Sequence, residues 1–282
     1  MSDLMAFLYA AFAAVIWGSY LVPYKKVKAN IYYSQLLMCI GIFLSSIIIS
    51  VVLEFPWSIT IFGILGGIIW TIGNYFSLSA IEKIGMSRAF PLWTANTLVA
   101  FSWGVVVFKE LTSTSIIFGL LGVLFIFTGC FFIGRTKKEE EKSNIIGILF
   151  ALLAAVFFGS VMVPLKIAEL SAEEYFLQMS WGILFSSILI FLLNREIPSK
   201  LYLGKGLMSG ILWGLGNFFG TFAIFMLGLS RGVPMTQLSV LVGTSWALFY
   251  FKEFDKKKQI VRIIISTLVI ITGAFFVSLA GG

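Results

Sequence analysis

Histidine is missing from all 282 residues, and aspartate occurs only twice, as Asp3 and Asp255. Without an imidazole, the commonest metal ligand and the commonest proton relay near neutral pH are both gone. Cysteine is almost as scarce, and Cys39 and Cys130 stand inside apolar stretches. Two isolated thiols in such surroundings read as small packing residues, without the ligands for a metal site. No cofactor is expected. Charged residues make up 12% of the chain against 59% hydrophobic ones, far too few for the surface of a water-soluble fold. An enzyme would need a catalytic dyad, a metal cluster or an acid within the apolar runs, and none is found. A channel would need a ring of like residues or a filter-like stretch, which is also absent.

What charge there is falls in clusters about twenty-odd residues apart, as expected when each apolar run crosses a hydrocarbon core of ~30 Å. The alternating segments of about ten residues that mark a β-barrel do not occur. Ten apolar runs are expected, at 4–24, 31–53, 59–80, 86–108, 114–134, 145–168, 175–193, 204–227, 231–251 and 259–280. The first run is read as a helix of the mature fold. It is too long for a signal peptide, carries Asp3 and no basic residue before it, and recurs in the second half.

The chain is written twice. WGSYLVPYK, from Trp17 to Lys25, returns as FGSVMVPLK, from Phe158 to Lys166. GIIWTIGNYF, from Gly67 to Phe76, returns as GILWGLGNFF, from Gly210 to Phe219. Phe108, Lys109 and Glu110 match Phe251, Lys252 and Glu253, and the offset drifts only from 141 to 143 positions. Each half holds an odd number of runs, so the two copies must thread the bilayer in opposite senses, an arrangement typical of secondary transporters. The expected fold is an all-α membrane protein of ten transmembrane helices arranged as two inverted five-helix repeats. These are residues 1–134 and 145–282, joined by a charged, solvated linker at 135–144, RTKKEEEKSN.

The net charge of +7 is a topology signal and not a sign of nucleic-acid binding. Seventeen of the twenty Lys and Arg residues fall on the linker's side of the ten runs; Lys109, Lys166 and Arg231 fall on the other. The positive-inside rule then makes the linker cytoplasmic and both termini external.

Polar residues at mid-span mark packing or a pathway. Asn74 and Asn217 occupy equivalent places in the third and eighth runs, each four residues after a tryptophan, Trp70 or Trp213. An indole beside an amide suits a neutral polyhydroxyl ligand: the ring takes the C–H face, and the amide both donates and accepts. The same asparagines would serve equally to bond helix to helix, with the neighbouring glycines permitting close approach. The fourth and ninth runs each carry Ser-Arg, with a proline three residues after the arginine, at Pro91 and Pro234. Trp93 and Asn96 follow one, Gln237 the other. Helices interrupted by proline at matching places in two halves point to a transport site. Pro23 and Pro164 end the first and sixth runs and complete the set of expected helix breaks or gates. Lys25 and Lys166 read as snorkelling anchors, Lys109 with Glu110 and Lys252 with Glu253 as interfacial ion pairs or helix-end charges, and Trp103 and Trp246 as interfacial belt residues. No Asp or Glu lies near a midplane, which favours a neutral substrate.

These motifs in this order, from the VPYK and VPLK helix ends through the paired Gly-Asn to IGMSRAFPLW, resemble the drug/metabolite transporter superfamily. Within it the chain is similar to the glucose/ribose porter group. The resemblance implies a secondary transporter that moves a small neutral metabolite, a sugar before others, by alternating access. The alternative is an exporter of amino acids or hydrophobic drugs and metabolites of the same superfamily. The expected partners are the lipid bilayer and a small-molecule substrate. Some members of the group are coupled to protons, and that coupling, like the oligomeric state, is left open.

Overall fold

The computed structural model of the chain describes residues 3–23, 30–84, 89, 92–134, 144–193, 197, 202–251 and 257–280, and every regular element among them is helical. Water is absent from the hydrocarbon core, so each backbone N–H and C=O must find its partner within its own segment. In the first half α1 spans Asp3–Ser19, α2 Ile31–Val52 and α3 Ile61–Ile84. The next helix, α4, covers Asn96–Ser102 and widens into a π-helical turn over Trp103–Val107, and α5 spans Ser113–Gly134. In the second half α6 covers Ile145–Ser160, α7 Val163–Ile167, α8 Ala172–Leu193 and α9 Leu203–Leu227. Then come α10 (Leu229–Thr236), α11 (Ser239–Ser245), a second π-helical turn (Trp246–Tyr250) and α12 (Lys257–Leu279).

Among the described residues seven helical segments are long and apolar enough to cross a membrane: α2, α3, α5, α6 with α7, α8, α9 and α12. Their ends fall within a few residues of the expected runs. The expected first, fourth and ninth spans differ. The first stops at Ser19, and Pro23 stands in the turn that follows. In the fourth, Ala89, Leu92 and Trp93 are helical, a turn follows at Thr94 and Ala95, and the helix over Asn96–Ser102 ends in the π turn. The ninth is divided at Gln237 and Leu238, where bonds tighten to Gln237 N–H on the Pro234 carbonyl and Leu238 N–H on that of Met235. Pro234 offers no N–H to the turn before it, and Gly228 starts α10 at φ 80°. Pro91, Lys25, Arg88, Lys252, Glu253 and linker residues 135–143 lie outside the described residues. Asn144 does not, and its side chain caps α6.

Aliphatic side chains face outward, with Ile48, Leu189 and Phe275 each about three-fifths exposed, while small residues such as Ala6, Ala10, Ala13 and Ala14 of α1 turn inward. Close approach depends on glycine. A Cβ on Gly210 of α9 would stand 2.9 Å from Gly41 Cα of α2 and would also strike the Met38 carbonyl. Gly67 of α3 meets α8 in the same way, at Met179 and Gly182. Other contacts recur with the halves exchanged. Helix α1 packs on α9 as α6 packs on α3, and α1 on α11 as α6 on α4. Trp246 donates Nε1–H to Ser19 Oγ at 2.8 Å, and Trp103 does the same to Ser160 at 2.9 Å. These two indoles, expected as belt residues, bridge helices instead.

The end of the bundle opposite the linker is held by a network of charged groups, beside a cavity of about 160 Å³ lined by Glu110 and Arg231 among others. Glu110 receives N–H bonds from Leu229 (3.0 Å) and Ser230 (2.8 Å) at the start of α10, the Ser230 hydroxyl at 2.7 Å, and the Lys166 ammonium at 3.0 Å. Glu110 thus pairs with Lys166 and not with its neighbour Lys109, and Lys166 does more than snorkel. Nearby, Arg231 holds Asp3 at 3.1 Å and covers the Phe7 ring. Burial pushes the Glu110 carboxyl up, but the Ser230 and Leu229 donors and Lys166 outweigh it and hold the group below the usual carboxylate range.

Two predictions follow from these contacts. Gly210→Val overpacks the α2–α9 crossing and should cost ~1–3 kcal/mol, read as a lower melting temperature in detergent. The Glu110 contribution to stability is fully present above an ordinary carboxylate pKa and is lost as pH falls through the lowered one. Melting temperature should therefore drop across that acid window, and Glu110→Gln should be less stable at neutral pH with a flatter acid limb. An unchanged acid limb in the variant would contradict this.

Candidate functional site

At the centre of the bundle Trp70 of α3 and Trp213 of α9 meet, ring centroids 4.5 Å apart and tilted by 53°. Trp17 lies 5.9 Å from Trp213 and donates Nε1–H to the Trp213 carbonyl at 3.3 Å; in the exchanged position Phe158 lies 6.5 Å from Trp70. One turn further on, Asn74 and Asn217 are both buried. They are not equally occupied. Asn217 Nδ2–H reaches Met179 Sδ at 3.9 Å, whereas Asn74 Nδ2 has no partner. Thus the chain brings the two tryptophans together at its middle and leaves one of the two amides unsatisfied.

The remaining expected residues are dispersed. Trp93 packs apart from the tryptophan pair, against a cluster that includes Ala80, Ile84 and Ala151. Asn96, at the start of α4, has a buried Oδ1 without a partner. Gln237 is half-buried in the turn between α10 and α11. Pro164 is buried at the start of α7 and Pro234 within α10.

A cavity of about 430 Å³ opens on the linker side. Asn30, Ile31 and Tyr32 supply one wall from the start of α2, with Asn30 Oδ1 capping that helix through Tyr33 N–H at 2.8 Å. Tyr75, Ser79, Glu82 and Lys83 supply another from α3, and Ile146 and Phe150 of α6 close the third. Tyr75 and Ser79 are one turn apart, so helical periodicity alone puts them on one face. The Tyr32 and Tyr75 rings lie 5.9 Å apart, and Lys83 Nζ sits 5.8 Å from the Phe150 centroid. The lining combines aromatic faces, hydroxyls, a carboxylate and an ammonium, and so can hold a hydroxylated molecule from several sides. Their signal in the sequence was a polar face near the end of an apolar run. It was passed over because charges there are expected at any membrane surface.

Comparison with known proteins agrees with this architecture. The chain is 28% identical to the glucose uptake protein GlcU of Bacillus subtilis (strain 168), over 98% of this chain and 99% of that one. It is 27% identical to a protein named probable glucose uptake protein GlcU in Priestia megaterium, over 96% and 98%. A solved crystal structure shares the fold at a TM-score of 0.71 and 19% identity, covering 99% of this chain and 98% of its own. The family model described as sugar transport protein matches residues 8–280, and the chain therefore belongs to that family.

Proposed function

We propose that this protein is a secondary carrier that moves a small neutral sugar across the membrane by alternating access. The observation that carries the reading is full-length membership of a sugar transport family by a chain with an unsatisfied amide at its buried centre and a polar, aromatic-lined cavity at one end. The names of the relatives make glucose the first sugar to test. The reading includes ten spans as two inverted repeats of residues 1–134 and 145–282, supported by helix contacts that recur with the halves exchanged. The basic bias supports a cytoplasmic linker and external termini. On that topology the linker-side cavity faces the cytoplasm and the Glu110 network faces outward.

In this reading Trp70, Asn74, Trp213 and Asn217, with Trp93, Asn96 and Gln237, contact substrate as it passes the centre. Pro23, Pro91, Pro164 and Pro234 mark where helices bend as the two ends open in turn. The unpartnered atoms on Asn74 and Asn96 support such a role, because a buried polar group left empty costs free energy that a ligand hydroxyl recovers. Among the described residues Glu82 is the carboxylate lining the linker-side cavity. Should a proton gradient drive the cycle, it is the acid placed to take part.

Proteoliposomes carrying the purified protein should show saturable glucose flux, accelerated by glucose on the far side. Flux of amino acids or hydrophobic cations without sugar flux would favour the exporter reading instead. Asn74→Leu should weaken glucose affinity by roughly two- to tenfold with little change in melting temperature. A fall in melting temperature with unchanged affinity would assign Asn74 to packing alone. A cysteine placed in the linker should resist impermeant reagents on intact cells, and labelling there would reverse the topology.

A further inference from the structure

The two ends of the bundle are built on equivalent scaffolds with opposite chemistry. Their correspondence can be set by contacts as well as by sequence. Asn30 and Ser171 cap α2 and α8, and Gly41 and Gly182 make the matching crossings, so these helices align at an offset of 141. Trp70 and Trp213 align α3 with α9 at 143. At the Glu110 end the equivalent positions are filled with rings. Phe218 lies 4.9 Å from Phe222, 5.8 Å from Phe176 of α8 and 6.2 Å from Phe55, and Tyr9 of α1 closes on Phe222 at 5.9 Å.

At the linker side the same positions carry other residues. Tyr75 stands for Phe218, Ser79 for Phe222 and Gln35 for Phe176, while Glu82 stands for Phe225, which is exposed and lies outside the ring cluster. Ile197 stands for Phe55, and it is 60% exposed where Phe55 is 9% exposed. Three of these substitutes, Tyr75, Ser79 and Glu82, line the 430 Å³ cavity. Gln35 lies one turn deeper on the face of α2 that carries Tyr32. It is 1% exposed and donates Nε2–H to the Thr71 carbonyl at 3.3 Å, one turn inward from Tyr75, and its Oε1 is buried without a partner. The cavity therefore does not arise from helix separation alone. Ring-bearing positions have been exchanged for hydrogen-bonding ones, and the innermost of these keeps an open acceptor.

We infer that the linker-side cavity is a monosaccharide subsite, distinct from the central tryptophan pair, formed by Tyr32, Tyr75, Ser79 and Glu82 with Gln35 at its inner end. The inference rests on the sugar-carrier reading and adds the residues that hold the sugar on this side. The C–H face of the ring lies on a tyrosine. Ser79 both donates and accepts, and the Glu82 carboxylate accepts from neighbouring hydroxyls. Gln35 Oε1 accepts from the hydroxyl that enters deepest. A volume of about 430 Å³ is within the ordinary range of small-molecule sites, ~300–1,000 Å³.

The test measures D-glucose binding to the purified full-length protein in nanodiscs by calorimetry, with melting temperature recorded for every variant. Ser79→Phe restores the ring of the other end and should reduce affinity at least tenfold. Gln35→Leu and Glu82→Gln should each reduce it roughly two- to tenfold. Tyr75→Phe, which keeps the stacking face, should have the smallest effect. Should Ser79→Phe fail to fold, the Gln35 and Glu82 variants decide the matter on their own. Wild-type glucose binding with Gln35→Leu and Glu82→Gln both at wild-type affinity would overturn the subsite and leave the sugar-carrier reading standing. Absence of binding by the wild type to glucose or any other monosaccharide would overturn both.

Discussion

Backbone contact at the glycine crossings sets the spacing of the whole bundle. Where Gly41 meets Gly210 and Gly67 meets Gly182, two helices approach so closely that a single Cβ would collide with main-chain atoms. Lipid tails are as apolar as the side chains they would replace, so no hydrophobic drive pulls these helices together. Dense contact between small residues has to do it. The same crossings bring α2 and α8, which carry the cavity wall and part of the aromatic plug, against α9 and α3, which carry Trp213 and Trp70. The Trp70–Trp213 contact at the centre exists because those helices are held at glycine distance.

On that scaffold the two ends differ in how they are closed. One is locked by a carboxylate that gathers two backbone N–H groups, a hydroxyl and an ammonium, and it also holds a cluster of phenylalanine rings packed edge to face. Each donor offsets part of the cost of burying the Glu110 charge, and the lock joins the loop before α5 to α7 and α10 in one network. A carrier must break such a lock once per cycle, so it needs many modest bonds that can be given up together. The π-helical turn at Trp103 lies beside this machinery, with Gly104 against Glu110 and Ser230, while its counterpart at Trp246 lies toward the linker side. Each directs its indole to a serine on a neighbouring helix.

Among the described residues the other end holds a cavity, and the residues lining it differ from their counterparts. Duplication supplies two equal ends, but a molecule with two phenylalanine plugs would have nowhere to hold a polar solute. Exchange of a few ring positions for Tyr75, Ser79 and Gln35 leaves the glycine crossings themselves unchanged, since Gly41, Gly67, Gly182 and Gly210 are kept in both halves. The cost of the exchange is visible in Gln35, whose buried acceptor lacks a protein partner.

Composition and spacing alone determined that the chain is a bundle of apolar helices written twice, because hydrocarbon leaves the backbone only helices or a closed barrel and the alternating segments of a barrel are missing. The identity of the repeated Trp-Gly-Asn segments as the centre was also legible, since a tryptophan and an amide at mid-span in both copies stand out against Ile, Leu and Phe. The tertiary structure alone decided which partner each polar group took. Lys166 and Ser230 reach Glu110 from distant parts of the chain, Trp103 and Trp246 turn inward instead of lying at the lipid interface, and Asn217 finds Met179 while Asn74 finds nothing. The residues lining the cavity were equally hidden, because a polar face near a helix end looks the same in one dimension whether it meets water or closes around a ligand. That difference depends on the distance between helices, and helix spacing is set by contacts between segments far apart in the chain.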